Sequence, residues 1–217
     1  MLPSIIELQT EFRHPSRTGA PLLFVLHTTG TSRFDEAIRY YQTSSEGIAP
    51  HYVIDLAGAL YRIVPDDQVA YHCGYGTAQG LYSQGLEVWT RWAGKPPQEL
   101  QEPFSGYRFW RERWPGKQSP LELACGAAPN GRSIGIELLA PRHPTPAVFT
   151  DPQYTTCAEL LADRATAHRI PLDRAHVLGH EDVNPIARAD RRGGTDPGRG
   201  FDWQRILSAA RGAQVVT

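Results

Sequence analysis

The stretch PLLFVLH, residues 21–27, is the part of this sequence that decides the fold class. An uninterrupted apolar run that follows Gly-Ala-Pro is typical of a short strand buried inside a sheet. The run ends at His27, so we expect a buried strand with an imidazole at its C-terminal end. Residues 28–32 have the composition of a turn, and residues 34–42 carry apolar side chains at helical spacing.

Further strands and helices alternate along the rest of the chain. A hairpin signal surrounds Leu56-Ala57-Gly58. The predicted elements are strands at 51–55, 59–64, 133–139 and around 177–178, and helices at 155–168 and 201–210. This order predicts one α/β domain over residues 1–217, with a central mixed β-sheet flanked by helices.

The strand at 133–139 contains a carboxylate among apolar residues. Its alternation places Ile134, Ile136 and Leu138 on one face, and Gly135 and Glu137 on the other. A buried carboxylate is costly unless it is paired, so Glu137 is expected either in a cleft or on a solvent-facing surface.

Residues 75–132 differ in composition from the rest and are interpreted as a Trp-rich insertion. The segment holds four of the five tryptophans, Trp89, Trp92, Trp110 and Trp114, with short helices predicted at 83–93 and 107–114. These rings either form a small core of their own or stack on a flat ligand surface such as a sugar ring, with nearby arginines able to bind carboxylates.

Charge and composition exclude several classes of partner. With 22 basic and 23 acidic residues, the chain lacks the basic excess of a nucleic-acid-binding protein. No segment approaches the ~20 apolar residues that span a bilayer, and the N-terminus lacks the pattern of a signal peptide. We therefore expect no membrane partner and synthesis in the cytoplasm. Three widely spaced cysteines, Cys73, Cys125 and Cys157, favour buried thiols over a disulfide framework or a zinc–cysteine cluster.

Three residues form a candidate zinc site: His27, His180 and Asp196. Hydrolytic zinc is held by three protein ligands and keeps one open position. His27 and His180 each follow an apolar strand, and Pro197 restricts the backbone of Asp196. Spacing alone is weak evidence, because eight histidines offer many such triplets and a lone histidine is more often structural.

Six ordered blocks of sequence strengthen the hypothesis. They are Leu26-His27-Thr28-Thr29-Gly30, residues 50–58 (PHYVIDLAG), Ala70-Tyr71-His72-Cys73-Gly74, Ser133-Ile134-Gly135-Ile136-Glu137, Gly179-His180-Glu181-Asp182-Val183, and Thr195-Asp196-Pro197-Gly198 followed by Phe201-Asp202-Trp203. Together they resemble the N-acetylmuramoyl-L-alanine amidases of the peptidoglycan-recognition-protein superfamily. Residues 75–132 fall outside the resemblance.

The resemblance implies a fold, a metal and roles for individual residues. It implies Zn²⁺ on His27, His180 and Asp196, with Glu137 as general base, and a substrate of peptidoglycan or soluble muropeptides. His51 and His72 match positions near the cleft; they are expected either to contact substrate and support the oxyanion, or to be hydrogen-bonded structural residues.

One departure from the family pattern concerns the oxyanion donor. Recycling members carry a lysine two residues before the third ligand, where this chain has Gly194. Arg192, Thr195, His51 or the zinc itself could replace that donor. Asp190 is a rival third ligand, but only Asp196 stands in an Asp-Pro-Gly turn.

Two other functions compete with the amidase prediction. A non-catalytic peptidoglycan-binding module is favoured only by the missing lysine, since no metal ligand is lost. A zinc peptidase or deaminase of another family would carry His-Glu-x-x-His, or His-x-Glu with Pro-Cys-x-x-Cys, and neither motif occurs.

Overall fold

The computed structural model describes residues 2–73, 129–141, 148–183, 196–198 and 200–214. Six strands are present in these residues: β1 (Ile5–Glu7), β2 (Leu23–Gly30), β3 (Tyr52–Ile54), β4 (Leu60–Arg62), β5 (Ser133–Pro141) and β6 (Val177–Gly179). The helices are α1 (Phe34–Thr43), α2 (Pro129–Arg132), α3 (Asp151–His168), α4 (His180–Val183) and α5 (Trp203–Gln214).

All six strands belong to one sheet in the order β1-β4-β3-β5-β2-β6. Every neighbouring pair is parallel except the β3–β4 hairpin. The hairpin turn contains Gly58 with a φ of 81°, a conformation that glycine adopts without a Cβ clash. The predicted class, an α/β domain with a central mixed sheet, is confirmed.

The two faces of the sheet pack against different helices. Phe24, Leu26, Ile134 and Ile136 belong to a core that also contains buried residues of α3 and α5. Val53 and Leu139 belong to a second core, with Ala37, Ile38 and Tyr41 of α1. The predicted alternation along residues 133–139 is therefore confirmed, and Glu137 points to the α1 side.

Several element boundaries differ from the sequence predictions, and two of the differences have a clear structural cause. The turn predicted at 28–30 is wrong, because β2 continues to Gly30 and Thr28 pairs with Leu138 of β5. Helix α3 begins at Asp151 and not at Thr155, because Thr150 and Gln153 form a capping box. The capping box satisfies backbone N–H groups of the first turn. The helix therefore starts before the apolar residues on which the prediction was based.

Three short elements were not predicted. β1 is a three-residue edge strand, α2 falls inside the proposed insertion, and α4 starts at His180. The tryptophans, the two helices predicted at 83–93 and 107–114, and Cys125 lie outside the described residues. Cys73 and Cys157 are both buried, and burial raises the pKa of the Cys157 thiol to about 12. Within the part of the chain that the structure describes, none of the helices is long and apolar enough to cross a membrane.

Candidate metal centre and active site

The site lies on the α1 side of the sheet, over the adjacent strands β2 and β5. His27 of β2 and Glu137 of β5 are paired in register, so their side chains emerge side by side. His180 is the first residue of α4, directly after β6. Asp196 is fixed against β2, since the Thr28 backbone N–H donates to its Oδ1 at 2.6 Å.

Three ligand atoms converge at this point. The Asp196 Oδ2 lies 3.4 Å from His27 Nδ1 and 3.2 Å from His180 Nδ1. All three residues are buried, at 1%, 4% and 6% exposure for His27, His180 and Asp196. Ligand atoms on a tetrahedral zinc lie about 3.3 Å apart, given metal–ligand bonds of about 2.0–2.2 Å. The donor set and its spacing fit a zinc ion.

Hydrogen bonds set the tautomer of His27. The Ser133 hydroxyl donates to the Pro129 carbonyl at 2.6 Å, so its oxygen accepts from His72 Nε2 at 3.1 Å. Burial, with the neighbouring His27, lowers the pKa of His72 well below its usual value, so the ring is neutral and its Nδ1 is an acceptor. His27 Nε2–H therefore donates to His72 Nδ1 at 2.9 Å, which leaves the His27 Nδ1 lone pair directed at Asp196.

His180 is oriented in the same way by a backbone group. Its Nε2–H donates to the Cys73 carbonyl at 3.1 Å, which leaves Nδ1 as an acceptor facing Asp196. Two imidazole lone pairs and one carboxylate oxygen thus meet in a buried space. Such a cluster of acceptors requires a cation among them, either a proton or a metal ion.

The surroundings of Asp196 favour its negatively charged, deprotonated form. Burial acts to raise the pKa of Asp196, but hydrogen bonds from His180 and His27, donated when the shared cation is a proton on Nδ1, outweigh burial and hold the pKa below its usual value. A deprotonated carboxylate and neutral imidazoles are the ligand forms that metals bind.

A second group of possible ligand atoms comprises His27, His72 and Cys73. It shares His27 with the first group. The 2.9 Å between His27 Nε2 and His72 Nδ1 is the length of an N–H···N hydrogen bond, shorter than the about 3.3 Å that ligands of one zinc ion would show. We therefore interpret His72 as the hydrogen-bond partner of His27 and not as a ligand.

Glu137 has a partner that the sequence did not reveal. It is 9% exposed, and the Tyr41 hydroxyl of α1 lies near its carboxylate. Burial, then the Glu137 charge, raise the pKa of Tyr41 well above its usual value. The helical spacing of α1 predicts that Tyr41 points inward, but not that its hydroxyl reaches a carboxylate.

His51 lies beneath the site and not at its surface. The ring is fully buried; its Nδ1 accepts from the Gly135 backbone N–H at 3.0 Å and its Nε2 lies 3.2 Å from the Gln68 carbonyl. Burial, with the nearby Arg17, lowers its pKa to about 3. These contacts are those of the hydrogen-bonded structural alternative, and a substrate role for His51 stays a prediction. The same holds for His72, at 7% exposure.

Close packing around these histidines explains Gly135. A Cβ added there would lie 2.4 Å from His72 Cγ, so no larger residue fits while the ring keeps its place. The predicted residues Arg192, Thr195, Gly194 and Asp190 lie outside the described residues.

Solved structures share this fold. A Staphylococcus aureus hydrolase, AmiA, solved in complex with its ligand, aligns over 100% of this chain and 85% of its own at 14% identity and a TM-score of 0.58. An AmpD derivative aligns over 96% of both chains at 20% identity and a TM-score of 0.55. The endolysin amidase LysCS from Clostridium intestinale aligns over 97% of both chains at 17% identity and a TM-score of 0.52.

The similarity to solved structures shows the fold, and the family is shown by a match to a sequence profile. No curated protein sequence matches the chain significantly. The profile of the family described as N-acetylmuramoyl-L-alanine amidase matches residues 17–199, which is most of the chain, and the chain therefore belongs to that family.

Proposed function

We propose that this chain is a zinc-dependent amidase that hydrolyses the bond between the lactyl group of N-acetylmuramic acid and L-alanine of the stem peptide. The observation that carries the proposal is the convergence of His27 Nδ1, His180 Nδ1 and Asp196 Oδ2, with Glu137 in register beside His27. Family membership supports the substrate class, peptidoglycan or its muropeptide fragments.

The metal would be held by His27, His180 and Asp196. Zinc bound there would supply Lewis-acid activation of the scissile carbonyl and of a water molecule. The outer nitrogens of both histidines already donate to fixed acceptors, so these rings need no reorientation to present Nδ1.

Glu137 is proposed to move the proton. Its carboxylate accepts a proton from the attacking water and then delivers it to the leaving nitrogen of L-alanine, so that water and amide become a carboxylic acid and an amine. The nearby Tyr41 hydroxyl provides a polar neighbour for the carboxylate, and the surrounding protein excludes bulk water from it.

Arg192 and Thr195 remain proposed substrate contacts, because Thr195 directly precedes Asp196, Arg192 stands four residues before it, and both can donate to an oxyanion or a carboxylate. Replacing Arg192 by alanine and Thr195 by valine would test this role. The proposal requires an increase in KM or a decrease in kcat for at least one of the two.

The central experiment combines metal analysis with product analysis. Purified protein is expected to contain one zinc per chain and to release stem peptides with a free L-alanine N-terminus, identified by mass spectrometry. Parallel digestions of intact sacculi and of soluble muropeptides identify the preferred substrate.

Two variants separate catalysis from binding. Glu137→Gln should keep zinc and lose about 10²–10⁴-fold in rate. Glu7→Gln, a matched change of a carboxylate that is 58% exposed on the edge strand β1, should keep the wild-type rate. Bound zinc with no released peptide from the wild type would support a binding module instead, and undiminished activity of Glu137→Gln would overturn the role of Glu137.

A further inference from the structure

A short segment, His72-Cys73, orients both histidines of the metal centre. His72 Nδ1 accepts from His27, and the Cys73 carbonyl accepts from His180. The direction of each Nδ1 therefore depends on where this two-residue segment lies.

The backbone of this segment is held by a side chain. Tyr71 ends an isolated bridge to Ile48, and His72 and Cys73 belong to no strand. Their N–H groups donate to one atom, Asn130 Oδ1, at 3.1 and 2.9 Å. Because both partners are N–H donors, the accepting atom is the amide oxygen, which fixes the orientation of the Asn130 amide.

Asn130 is itself rigidly placed. It lies in α2 at 9% exposure, directly before β5. Arg17 donates to the carbonyls of Gly131 at 2.8 Å and Ser133 at 3.0 Å, one on each side of the turn into β5. The guanidinium thus ties the backbone that carries Asn130 to the base of the sheet.

We propose that Asn130 is a positioning residue of the metal centre. Its amide oxygen holds His72-Cys73, and that segment keeps His27 and His180 with Nδ1 directed at Asp196. The inference rests on the metal site proposed above, and it extends that site to a residue that touches neither metal nor substrate.

If Asn130 contributed only to folding, its replacement would lower stability without changing the metal site. Gln153 provides the comparison, since it is another buried amide bonded to backbone, donating to the Leu139 carbonyl at 2.8 Å. Gln153 lies on the α3 side of the sheet, whereas the metal-binding histidines lie on the α1 side. Loss of its bonds should lower stability without changing the metal site.

The experiment measures zinc affinity by competition with a chelator in the full-length protein. Asn130→Leu removes the acceptor and should bind zinc about 10–100-fold more weakly. Asn130→Asp keeps an acceptor oxygen and should bind within about 3-fold of the wild type, and Gln153→Leu should match the wild type. The visible absorption spectrum of the cobalt-substituted protein reports ligand geometry and should change only in Asn130→Leu.

Stability of the metal-free variants is measured by thermal unfolding with chelator present, so that a folding defect is recognised. If Asn130→Leu does not fold, Asn130→Ala replaces it with the same expected loss of zinc affinity. Wild-type zinc affinity in the folded variant that lacks the acceptor, or an equal loss in Asn130→Asp, would overturn the role of Asn130. Absence of zinc from the wild type itself would instead overturn the proposed metal site.

Discussion

Replacing Gly135 by alanine is expected to displace His72 from its position behind His27. The added Cβ would lie 2.4 Å from His72 Cγ and 2.6 Å from its Cδ2 and Nδ1. Gly135 is not among the residues with positive φ, so the backbone itself accepts alanine. The whole conflict is therefore between the methyl group and the imidazole ring.

The size of the effect follows from this overlap. Non-bonded carbon atoms approach to about 3.5 Å, so the ring must retreat by about 1 Å. Overpacking of this kind costs about 1–3 kcal/mol, and the loss of one buried hydrogen bond costs about 1–3 kcal/mol. One ring movement causes both losses, so we expect destabilisation of about 2–4 kcal/mol, or roughly 5–15 °C in Tm for a chain of this length.

The same movement should weaken the site. His27 loses the acceptor that directs its Nδ1, so zinc affinity is expected to fall about 10–100-fold. A 1 Å misplacement near a reacting centre costs up to about 10²-fold in rate, and kcat/KM should fall accordingly.

The assay compares Gly135→Ala with Gly131→Ala. A Cβ at Gly131 meets no atom within 4 Å, so this control should keep the wild-type zinc affinity and kcat/KM and should unfold at or slightly above the wild-type Tm. Thermal unfolding is followed with chelator present, and zinc binding and muropeptide hydrolysis are measured separately. Wild-type values for Gly135→Ala in all three measurements would refute the packing argument.

Three further changes have expected outcomes. Tyr41→Phe removes the hydroxyl that lies near Glu137 and should lower kcat by up to about 10-fold with little change in KM, because a bond from that hydroxyl to the charged carboxylate would contribute about 1.5–3 kcal/mol. Steady-state kinetics decide, and an unchanged kcat would contradict it. Thr150→Ala breaks the capping box of α3 and should cost about 1 kcal/mol in urea unfolding, whereas an unchanged midpoint would contradict it. Gly212→Ala in α5, where a Cβ meets nothing within 4 Å, should add about 0.5–1 kcal/mol; a lower Tm would contradict it.

Much of the fold could be predicted because its signals are local. The apolar run before His27 and the alternation along residues 133–139 depend only on neighbours in sequence, and both correspond to central strands. The extension of β2 through Thr28 could not be predicted, since that pairing depends on β5, which is more than a hundred residues away.

In the candidate site, too, some residues could be predicted from local sequence and others could not. The metal-facing residues and Glu137 stand in recognisable motifs, so their proximity could be expected. Tyr41 and Asn130 stand in no motif, and their contacts arise only when α1 and α2 pack against the sheet. His51 was assigned two possible roles because sequence does not reveal that Gly135 contacts one ring nitrogen and that Arg17 and Gln68 contact the other.

Asp66 links the stability of the fold to pH. Its carboxylate accepts from the Tyr52 hydroxyl at 2.7 Å, from Arg164 at 3.1 Å and from His168 at 3.2 Å, which ties β3 and α3 together. Burial acts to raise the pKa of Asp66, but these hydrogen bonds outweigh burial and lower it below its usual value. Because the folded pKa lies below the unfolded one, the stabilisation is complete above the unfolded value of about 3.9 and is lost as pH falls through the folded value.

Asp66→Asn tests this linkage. The amide oxygen can still accept from Tyr52, but the charge facing Arg164 is gone, so the free energy of unfolding at pH 7 should fall by about 1–3 kcal/mol. The deficit relative to the wild type should shrink as pH falls below 4, where the wild-type carboxylate also becomes protonated. Urea unfolding of both proteins at pH 7, 5 and 3 measures the deficit, and chelator keeps both metal-free. Asp196 also has a lowered pKa, but its contribution is common to both proteins and cancels in the difference. A deficit of constant size across the three pH values would show that the charge of Asp66 does not stabilise the fold.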